Sequence, residues 1–320
     1  MKQLTIYLGS HCNLDCAYCH RIADKEEPKI SKNLIESIRG KDNILIKFMG
    51  GEPTLYMDEI RKVVAAAPKA SYVIGTNGVN LDRYLDFFRK HNFLICISYD
   101  GKENSPRGFD PFTKLVDYPK LAVSTTIYHG NTNLKAIIKN FAEKERIIGR
   151  PLSFFPHIAH HTCAENKAFA LTKEDADSYV SQYQELVGNY IRERFQYGIK
   201  NIRYEGMFQA LLKRLEHPFS FGETYCVNSC VKKCDALGNL YTCLYIRDEN
   251  LNYSDWQQQQ GQLLSKQWGQ CKCCQVYDMC GGACIKSLSH DIECGIYYRL
   301  YTWFKEAYPK VEGGTIMTKT

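Results

Sequence analysis

The sequence lacks several features that would assign it to a common protein class. No apolar run reaches the ~18 residues that a membrane-spanning helix needs. The first residues, MKQLTIYLGSHC, contain no apolar stretch that leads to a small-residue cleavage site. The net charge of +6 is a mild excess spread over 320 residues, so it does not indicate nucleic-acid binding. We therefore expect a cytoplasmic protein with no membrane or nucleic-acid partner.

Cysteine is the residue type in excess, with 15 in the chain. Disulfide scaffolds are usually short secreted proteins, whereas this chain is long and shows no secretory signal. Its cysteines are grouped at two ends, at close spacings that suit metal ligation better than bridging. We therefore expect reduced cysteine ligands.

Strand-like and helix-like segments alternate through the first two thirds of the chain. The predicted strands are Leu4–Leu8, Ile44–Met49, Tyr72–Gly75, Phe93–Ser98, Leu121–Ile127 and Leu152–Phe155. The predicted helices are Lys32–Arg39, Asp58–Ala66, Leu81–Arg89 and Leu134–Lys144, and the connection Asp110–Asp117 is short. This alternation predicts parallel strands with right-handed crossovers. The expected fold is α/β, a partial (β/α)6 TIM barrel, with a doubly wound sheet as the alternative.

The pattern changes after the sixth strand. Thr172 and Asp175 form a predicted capping box for a helix whose apolar residues recur at helical spacing. Alternation stops after Phe195, and ten of the fifteen cysteines lie between Cys226 and Cys294. We predict a barrel domain over residues 1–217, a small cysteine-rich domain over 218–300 and a C-terminal helix or tail over 301–320.

Four polar or glycine-rich loops follow the first four predicted strands. They are CNLDCAYC (12–19), MGGEP (49–53), GTNG (75–78) and SYDG (98–101). Ligands bind at the carboxyl ends of parallel strands, so these loops are expected to meet on one face.

The first loop carries three thiols, Cys12, Cys16 and Cys19, in the spacing C-x3-C-x2-C. Thiolates select zinc or iron–sulfur clusters. A structural zinc ion is normally bound by four protein ligands and has no open coordination position. Three thiolates on a cubane cluster instead leave the fourth iron open to a non-protein ligand.

This spacing after the first strand resembles the radical S-adenosylmethionine (radical SAM) superfamily, and Tyr18 before the third cysteine fits the same pattern. The resemblance implies a [4Fe-4S] cluster whose open iron chelates the amino and carboxylate groups of S-adenosylmethionine. Reductive cleavage then gives a 5′-deoxyadenosyl radical that abstracts hydrogen from the substrate. An external electron donor such as flavodoxin or ferredoxin is an expected partner.

Three further loops match cofactor-binding segments of that family. Gly50, Gly51 and Glu52, followed by proline, resemble its GGEP motif, which holds the methionine amino group. Glycines permit close backbone approach, and the Glu52 carboxylate is a charge-assisted acceptor for an ammonium group. Ser98 and Asp100 match the family's SxDG segment, which contacts the ribose or carboxylate of the cofactor. For Asn77, a cofactor contact and a simple turn at TNG remain open alternatives.

The second cysteine group resembles the SPASM domain, a C-terminal extension of radical SAM enzymes that modify peptides or proteins. Its elements here are C-x2-C-x5-C-x3-C from Cys271 to Cys284 and G-x4-C from Gly238 to Cys243. The resemblance implies two auxiliary [4Fe-4S] clusters, and thus three in all, with zinc as the alternative metal. The implied ligands are Cys271, Cys274, Cys280 and Cys294 for the outer cluster, and Cys226, Cys243, Cys284 and either Cys230 or Cys234 for the inner one.

The choice between Cys230 and Cys234 as an inner ligand depends on a predicted hairpin. If Asp235–Gly238 is a turn with a two-residue loop, Cys234 pairs with Asn239 and Cys230 lies opposite Cys243. This register favours Cys230, and a slip of one residue reverses the choice.

Cys163 is the candidate catalytic residue. It follows the sixth strand in the segment HHTC (160–163) and is expected near the barrel mouth. By resemblance to peptide epimerases, it is a candidate hydrogen-atom donor, and the alternative is an inert loop thiol.

The resemblance to SPASM proteins implies a peptide or protein substrate. We expect an oxidoreductase that matures a ribosomal peptide (RiPP) through a carbon–carbon or thioether cross-link. Peptide epimerisation and formylglycine formation in sulfatases are alternatives, although Leu244 stands where sulfatase maturases carry a basic aspartate. Since the first strand starts at Leu4, leader recognition is expected to need a separate protein or the surface of the barrel itself. A non-catalytic multi-cluster electron carrier is the alternative of another class.

Overall fold

The computed structural model describes most of the chain, as two compact units. The described residues are 2–19, 29–101, 110–160, 164–220, 231–241, 270–284, 287, 289–308, 310–312 and 315–317. The first unit comprises Met1–Tyr99, Glu103–Val123 and Cys226–Gln262, and the second comprises Asp100–Lys102, Ser124–Tyr225 and Leu263–Thr320. None of the described helices combines the length and apolar character of a membrane span.

Eight of the described strands form one sheet in the order β6-β5-β4-β3-β2-β1-β7-β8. Their bounds are β1 Lys2–Tyr7, β2 Ile44–Met49, β3 Ser71–Thr76, β4 Leu94–Ser98, β5 Leu121–Ile127, β6 Ser153–Ile158, β7 Val231–Asp235 and β8 Leu240–Tyr241. β1 is parallel to both β2 and β7, and β3 is parallel to β2 and β4, whereas β8 is antiparallel to β7. Two short strands, β9 Lys310–Glu312 and β10 Thr315–Met317, pair separately.

α-Helices follow β1, β2, β3, β5 and β6, whereas the described residues between β4 and β5 include only a short 3₁₀ helix. The described α-helices are α1 Lys32–Ile38, α2 Met57–Ala66, α3 Leu85–Lys90, α4 Leu134–Ile148, α5 Lys173–Tyr197, α6 Ile202–Glu216, α7 Tyr277–Cys280 and α8 His290–Ala307. Short 3₁₀ helices cover Pro53–Tyr56, Leu81–Arg83, Phe112–Lys114 and Ala164–Phe169.

The predicted α/β class with parallel strands is confirmed. β2 and β5 have the predicted bounds, and the other four predicted strands differ by one to three residues at an end. The predicted helix Leu81–Arg89 is instead a 3₁₀ turn followed by α3, since Tyr84, with φ −130° and ψ 2°, interrupts the helical backbone. The domain boundary near residue 218 stays a prediction.

Local sequence signals explain where several helices begin and end. The Ser31 side chain accepts the Leu34 N–H at 3.1 Å and starts α1. The capping box predicted for α5 is confirmed: the Thr172 hydroxyl accepts the Asp175 N–H at 3.2 Å, and the Asp175 carboxylate accepts the Thr172 N–H at 2.9 Å. α5 ends at Gly198 in the left-handed conformation, which glycine adopts without steric cost.

The core of the first unit lies against one face of its parallel strands. Ile6, Phe48, Ile74 and Ile95 alternate with more exposed residues along β1 to β4, and each is fully buried. Burial of one such side chain stabilises the fold by roughly 2 kcal/mol. Successive side chains of a strand point to opposite faces, so Lys47 lies on the face of β2 opposite Phe48. One face of the strand is therefore apolar and the other is mixed.

Neither α6 nor the pairing of β7 with β1 was predicted. α6 carries buried Met207, Phe208 and Leu211 at helical spacing and packs on β6 within the second unit. β7 pairs in parallel with β1, so that Cys234 lies beside Ile6 in the first unit. The sequence around β7, VKKCD, is too polar to indicate a strand inside a sheet.

The register predicted for the hairpin after β7 is wrong by one residue. Cys234 pairs with Leu240, not Asn239, because the loop has three residues instead of two. Gly238 adopts φ +89°, and Asp235 accepts the Asn239 N–H at 2.9 Å, which together favour the longer loop. The geometric reason for choosing Cys230 over Cys234 is therefore lost, and the choice between these two thiols is open again.

Candidate functional site

The cysteine loop and the GGEP loop of the first unit interlock through backbone hydrogen bonds. The Gly51 N–H donates to the Gly9 carbonyl at 2.8 Å, and the Glu52 N–H donates to the His11 carbonyl at 2.8 Å. The His11 N–H donates in turn to the Tyr56 hydroxyl at 3.0 Å. The loop after β1 is thus held against the loop after β2, as expected for neighbouring parallel strands.

Gly51 is required by this close packing. A Cβ at this position would lie 2.3 Å from the carbonyl oxygens of both Ser10 and His11. Real Cβ atoms do not approach backbone this closely, so any side chain would push the two loops apart. The sequence suggested that the glycines allow approach to a ligand, and the structure adds that they allow approach of the cysteine loop itself.

The Glu52 carboxylate is the centre of a buried hydrogen-bond network. Its side chain is 1% exposed. Oε1 accepts the N–H and the hydroxyl of Thr54 at 2.9 and 2.6 Å and the hydroxyl of Thr76 at 2.7 Å, while Oε2 accepts the Asn77 N–H at 2.8 Å. A buried carboxylate is costly unless several donors compensate it, and these four do so.

Glu52 therefore joins the loop after β2 to the end of β3. The role predicted for it, as acceptor for a ligand ammonium group, stays a prediction. Thr54 and Thr76 were missed by sequence reasoning. Thr54 had a local signal, since a carboxylate two residues before a threonine can cap the following turn. Thr76 had none, because its contact with Glu52 spans 24 residues.

Asn77 lies beside the first thiol of the cysteine loop. Its amide Nδ2 donates to Cys12 Sγ at 3.7 Å and to Asn13 Oδ1 at 2.8 Å. Its Oδ1 accepts the Val79 N–H at 3.0 Å, as in the turn considered for TNG. The residue thus forms a turn and also contacts the cysteine loop.

The three thiols of the first loop differ in exposure. Cys12 and Cys16 are half-buried, and Cys19 is exposed. Cys12 Sγ accepts the Leu14 N–H at 3.4 Å, and the Cys19 N–H closes a turn onto the Cys16 carbonyl at 2.8 Å. Tyr18, between them, is buried. Iron–sulfur clusters are ligated by cysteine sulfurs, and these sulfurs commonly accept N–H hydrogen bonds, as Cys12 Sγ does here.

Within the described ranges, no three or more His, Cys, Asp and Glu side chains are grouped around a site for a metal ion. A cubane differs from such a site, because each thiolate binds a separate iron and the sulfur atoms lie farther apart than the ligands of one ion. The cluster ligands therefore stay predictions.

Ser98 lies at the end of β4, and Asp100 lies two residues after it. Ser98 is half-buried as the last residue of β4. Asp100, which belongs to the second unit, is fully buried. Its Oδ1 accepts the Thr126 N–H at 3.3 Å, and its carbonyl accepts the Asn131 amide at 3.1 Å. Asp100 thus stabilises the loop after β5, and its predicted cofactor contact stays a prediction.

Four thiols of the second unit lie near one another. Burial raises the pKa of Cys280 to about 12, and the neighbouring thiols of Cys294, Cys271 and Cys274 act in the same direction. Burial, then Cys294 and Cys274, also raises the pKa of Cys271. These are the four residues predicted as ligands of the outer auxiliary cluster. A cluster would hold them as thiolates, a form that burial and the neighbouring thiols disfavour in the absence of iron.

The remaining predicted cysteines are only partly described. Cys284 is half-buried, and its carbonyl is 3.2 Å from Nδ1 of His290. Cys273, which lies between the predicted ligands Cys271 and Cys274, is exposed. Other predictions lie outside the described residues, namely those for Cys163, Cys226, Cys230, Cys243 and Leu244.

A buried carboxylate in α8 was missed by sequence reasoning. Glu293 is 1% exposed and accepts a hydrogen bond from Ser287, and Nδ1 of His160 lies 3.0 Å from its Oε2. His160 follows β6, so this contact joins the end of that strand to α8 within the second unit. The histidine was recognised in the sequence only as part of the HHTC segment.

No protein-family model matches the chain. Solved structures described as "Native anSMEcpe with bound AdoMet", without and with "Cp18Cys peptide", superpose with TM-scores of 0.66 and 0.65. Both are 18% identical and cover 94% of this chain and 96% of theirs. The chain has the anSMEcpe fold. At this identity the likeness establishes the fold alone.

Two curated relatives are similar to this chain in sequence. The cysteine-type anaerobic sulfatase-maturating enzyme of Clostridium novyi (strain NT) is 26% identical over 297 residues, which cover 78% of this chain and 76% of the relative. The serine-type anaerobic sulfatase-maturating enzyme of Bacteroides thetaiotaomicron is 24% identical over 374 aligned positions, with 95% and 89% coverage.

Proposed function

We propose that this chain is a radical SAM oxidoreductase that acts on a peptide or protein. The observation that carries the proposal is the interlocking of the three-thiol loop with the GGEP loop, closed by the Gly51–Gly9 and Glu52–His11 hydrogen bonds. Its support also includes the fold shared with a structure that holds AdoMet and a peptide.

Each loop has a proposed task. Cys12, Cys16 and Cys19 hold a [4Fe-4S] cluster, and the backbone around Gly50 and Gly51 binds the methionine end of S-adenosylmethionine. When bound, the cluster supplies the electron that cleaves this cofactor to a 5′-deoxyadenosyl radical. Glu52 fixes the loop geometry through the threonine and Asn77 contacts. Tyr18, Ser98 and Asp100 complete the proposed cofactor contacts.

We propose further that residues 218–300 carry two auxiliary clusters. The proximity of Cys271, Cys274, Cys280 and Cys294 supports the outer one. The inner one takes Cys226, Cys243, Cys284 and either Cys230 or Cys234. The cluster ligands must be reduced thiols, which favours a cytoplasmic location. The electron comes from an external donor such as a ferredoxin or flavodoxin.

The first experiment measures cofactor cleavage. The chain is reconstituted anaerobically with iron and sulfide, reduced, and incubated with S-adenosylmethionine. We expect 5′-deoxyadenosine from the wild type and none from Cys16→Ala. Cluster-loaded wild-type protein that forms no 5′-deoxyadenosine would contradict the enzyme and favour the electron carrier.

Three candidate reactions on the substrate can be distinguished by experiment. A cross-link in a ribosomal peptide follows from the SPASM resemblance, whereas the relatives' names favour formylglycine formation. Candidate peptides would be incubated with the enzyme, examined by mass spectrometry and treated with a hydrazide. A trapped aldehyde indicates formylglycine. Loss of two hydrogens without aldehyde indicates a cross-link, and incorporation of solvent deuterium without another mass change indicates epimerisation.

A further inference from the structure

We propose that the side-chain amide of Asn77 raises the reduction potential of the cluster held by Cys12, Cys16 and Cys19, through a hydrogen bond to the Cys12 sulfur. The inference rests on the proposed function. Its basis is the 3.7 Å contact between Asn77 Nδ2 and Cys12 Sγ. The Leu14 N–H donates to the same sulfur at 3.4 Å.

The orientation of the amide is determined by its own contacts. Asn77 Oδ1 accepts the Val79 N–H at 3.0 Å, so the oxygen side of the amide is directed at Val79. The NH₂ side therefore faces the cysteine loop. Its two protons serve two acceptors, Cys12 Sγ and, at 2.8 Å, Asn13 Oδ1. The opposite orientation would place two acceptors against each other at Asn13 and two donors against each other at Val79.

The backbone of Asn77 is held as well. Its N–H donates to Glu52 Oε2 at 2.8 Å, and the neighbouring Gly78 N–H donates to the Thr76 hydroxyl at 3.0 Å. Asn77 is 6% exposed. Water therefore competes little for the amide protons, and a hydrogen bond in such an environment is electrostatically stronger than one in water.

A donor beside a cluster thiolate acts on the redox equilibrium. Reduction adds one negative charge to the cluster, part of which resides on the ligand sulfurs. An N–H group aimed at Cys12 stabilises that charge more in the reduced than in the oxidised cluster, so the potential rises. Asn77 is thus a positioning residue that acts through Cys12. We expect its removal to lower the ratio of reduced to oxidised cluster about tenfold at a fixed potential, or about 59 mV for one electron.

The test is a potentiometric titration of the reconstituted full chain, followed by EPR without S-adenosylmethionine. The signal of the first cluster is identified as the one that Cys16→Ala abolishes. Asn77→Asp keeps the acceptor for Val79 but replaces the donor by a carboxylate, and Asn77→Ala removes the side chain. Both should lower the potential, Asn77→Asp by more. Asn13→Ala removes the other acceptor of the amide and should leave the potential unchanged.

Several outcomes would overturn the inference. One is a wild-type potential in both Asn77 variants. Another is an equal shift in Asn13→Ala, because the conformation of the cysteine loop, rather than the hydrogen bond to Cys12, would then set the potential. Loss of iron from the first site in both Asn77 variants would also overturn it, because a tuning residue leaves the ligands in place. Absence of any first-site cluster in the wild type would instead contradict the proposed function.

Discussion

The backbone N–H of Asn77 donates to Oε2 of Glu52 at 2.8 Å, although 25 positions separate the two residues. The bond joins the loop after β2 to the end of β3. Since Asn77 also contacts Cys12, the carboxylate of Glu52 and the first thiol of the cysteine loop are linked through one residue. The proposed cofactor loop and the proposed cluster loop are therefore held by a shared buried network.

Glu52→Ala should destabilise the fold. The substitution leaves four donors without their buried acceptor, and each unsatisfied buried donor costs about 1–3 kcal/mol. Because water can enter the space and satisfy part of the network, we expect a loss of about 3 kcal/mol in the free energy of unfolding. Urea denaturation of the full chain measures it. Glu36→Ala is the control, since Glu36 pairs only with exposed Arg39 and its removal should leave stability unchanged. Equal stability of the two variants would contradict the buried network.

Gly51→Ala should separate the two interlocked loops. The added Cβ would lie 2.3 Å from two backbone oxygens, so the backbone must move. We expect a loss of about 1–3 kcal/mol, as for other overpacked sites, together with reduced iron binding by the first site. Iron content and urea denaturation measure the two effects.

Gly295→Ala in α8 is the matched control for Gly51→Ala. A Cβ there meets no atom within 4 Å, and alanine favours a helix over glycine by about 1 kcal/mol. This control should be as stable as the wild type or more stable. If Gly51→Ala behaves in the same way, the tight packing of the loops is wrong.

The sequence predicts the first six strands well because apolar runs in a parallel sheet are nearly continuous and are separated by helices with their own periodicity. The capping box at Thr172 is equally local and was confirmed. The pairing of β7 with β1 was missed because VKKCD has no apolar run that would indicate a strand inside a sheet. The register of the following hairpin depended on the three-residue loop that Gly238 permits, which the letters DALG do not distinguish from a two-residue loop.

In the candidate site, too, local features could be predicted from the sequence and long-range contacts could not. Spacing within one loop, as in CNLDCAYC and GGEP, is visible in the sequence. The contacts of Glu52 with Thr76 and Asn77, and of Glu293 with His160, join residues that are far apart along the chain. Such partners follow from the packing of loops and helices, so composition and periodicity carry no signal for them.

The thiols of metal-free protein should react at different rates with iodoacetamide. Cys280 is shielded by burial, which also raises its pKa to about 12, and the thiolate is the reactive form. Cys273, between two predicted ligands, is exposed. Peptide mapping at pH 8 should show Cys273 modified before Cys280. Similar rates at the two positions would contradict the shielding of Cys280.

Tyr72 should make the protein less stable at high pH. Burial raises its pKa from 10 to about 12, and its hydroxyl donates to the Ala67 carbonyl. The unfolded chain releases this proton at lower pH than the folded one. The contribution of Tyr72, about 2 kcal/mol at most, is therefore present below pH 10 and lost as the pH rises to about 12.

Urea denaturation between pH 9 and 12 checks this dependence. Tyr72→Phe should show a shallower loss of stability with pH than the wild type, after a cost of about 1 kcal/mol at neutral pH for the lost hydrogen bond. Tyr197→Phe, at a side chain that is 71% exposed, should keep the wild-type slope. Equal slopes in both variants would contradict the assignment to Tyr72.

The EPR spectrum of the reduced chain, recorded with and without S-adenosylmethionine, tests most directly whether Cys12, Cys16 and Cys19 hold a cluster with an open iron. We predict a four-iron signal that Cys16→Ala abolishes and whose g-values shift when the cofactor is added. Zinc at this site, or a signal that the cofactor leaves unchanged, would contradict a cluster whose fourth iron binds S-adenosylmethionine.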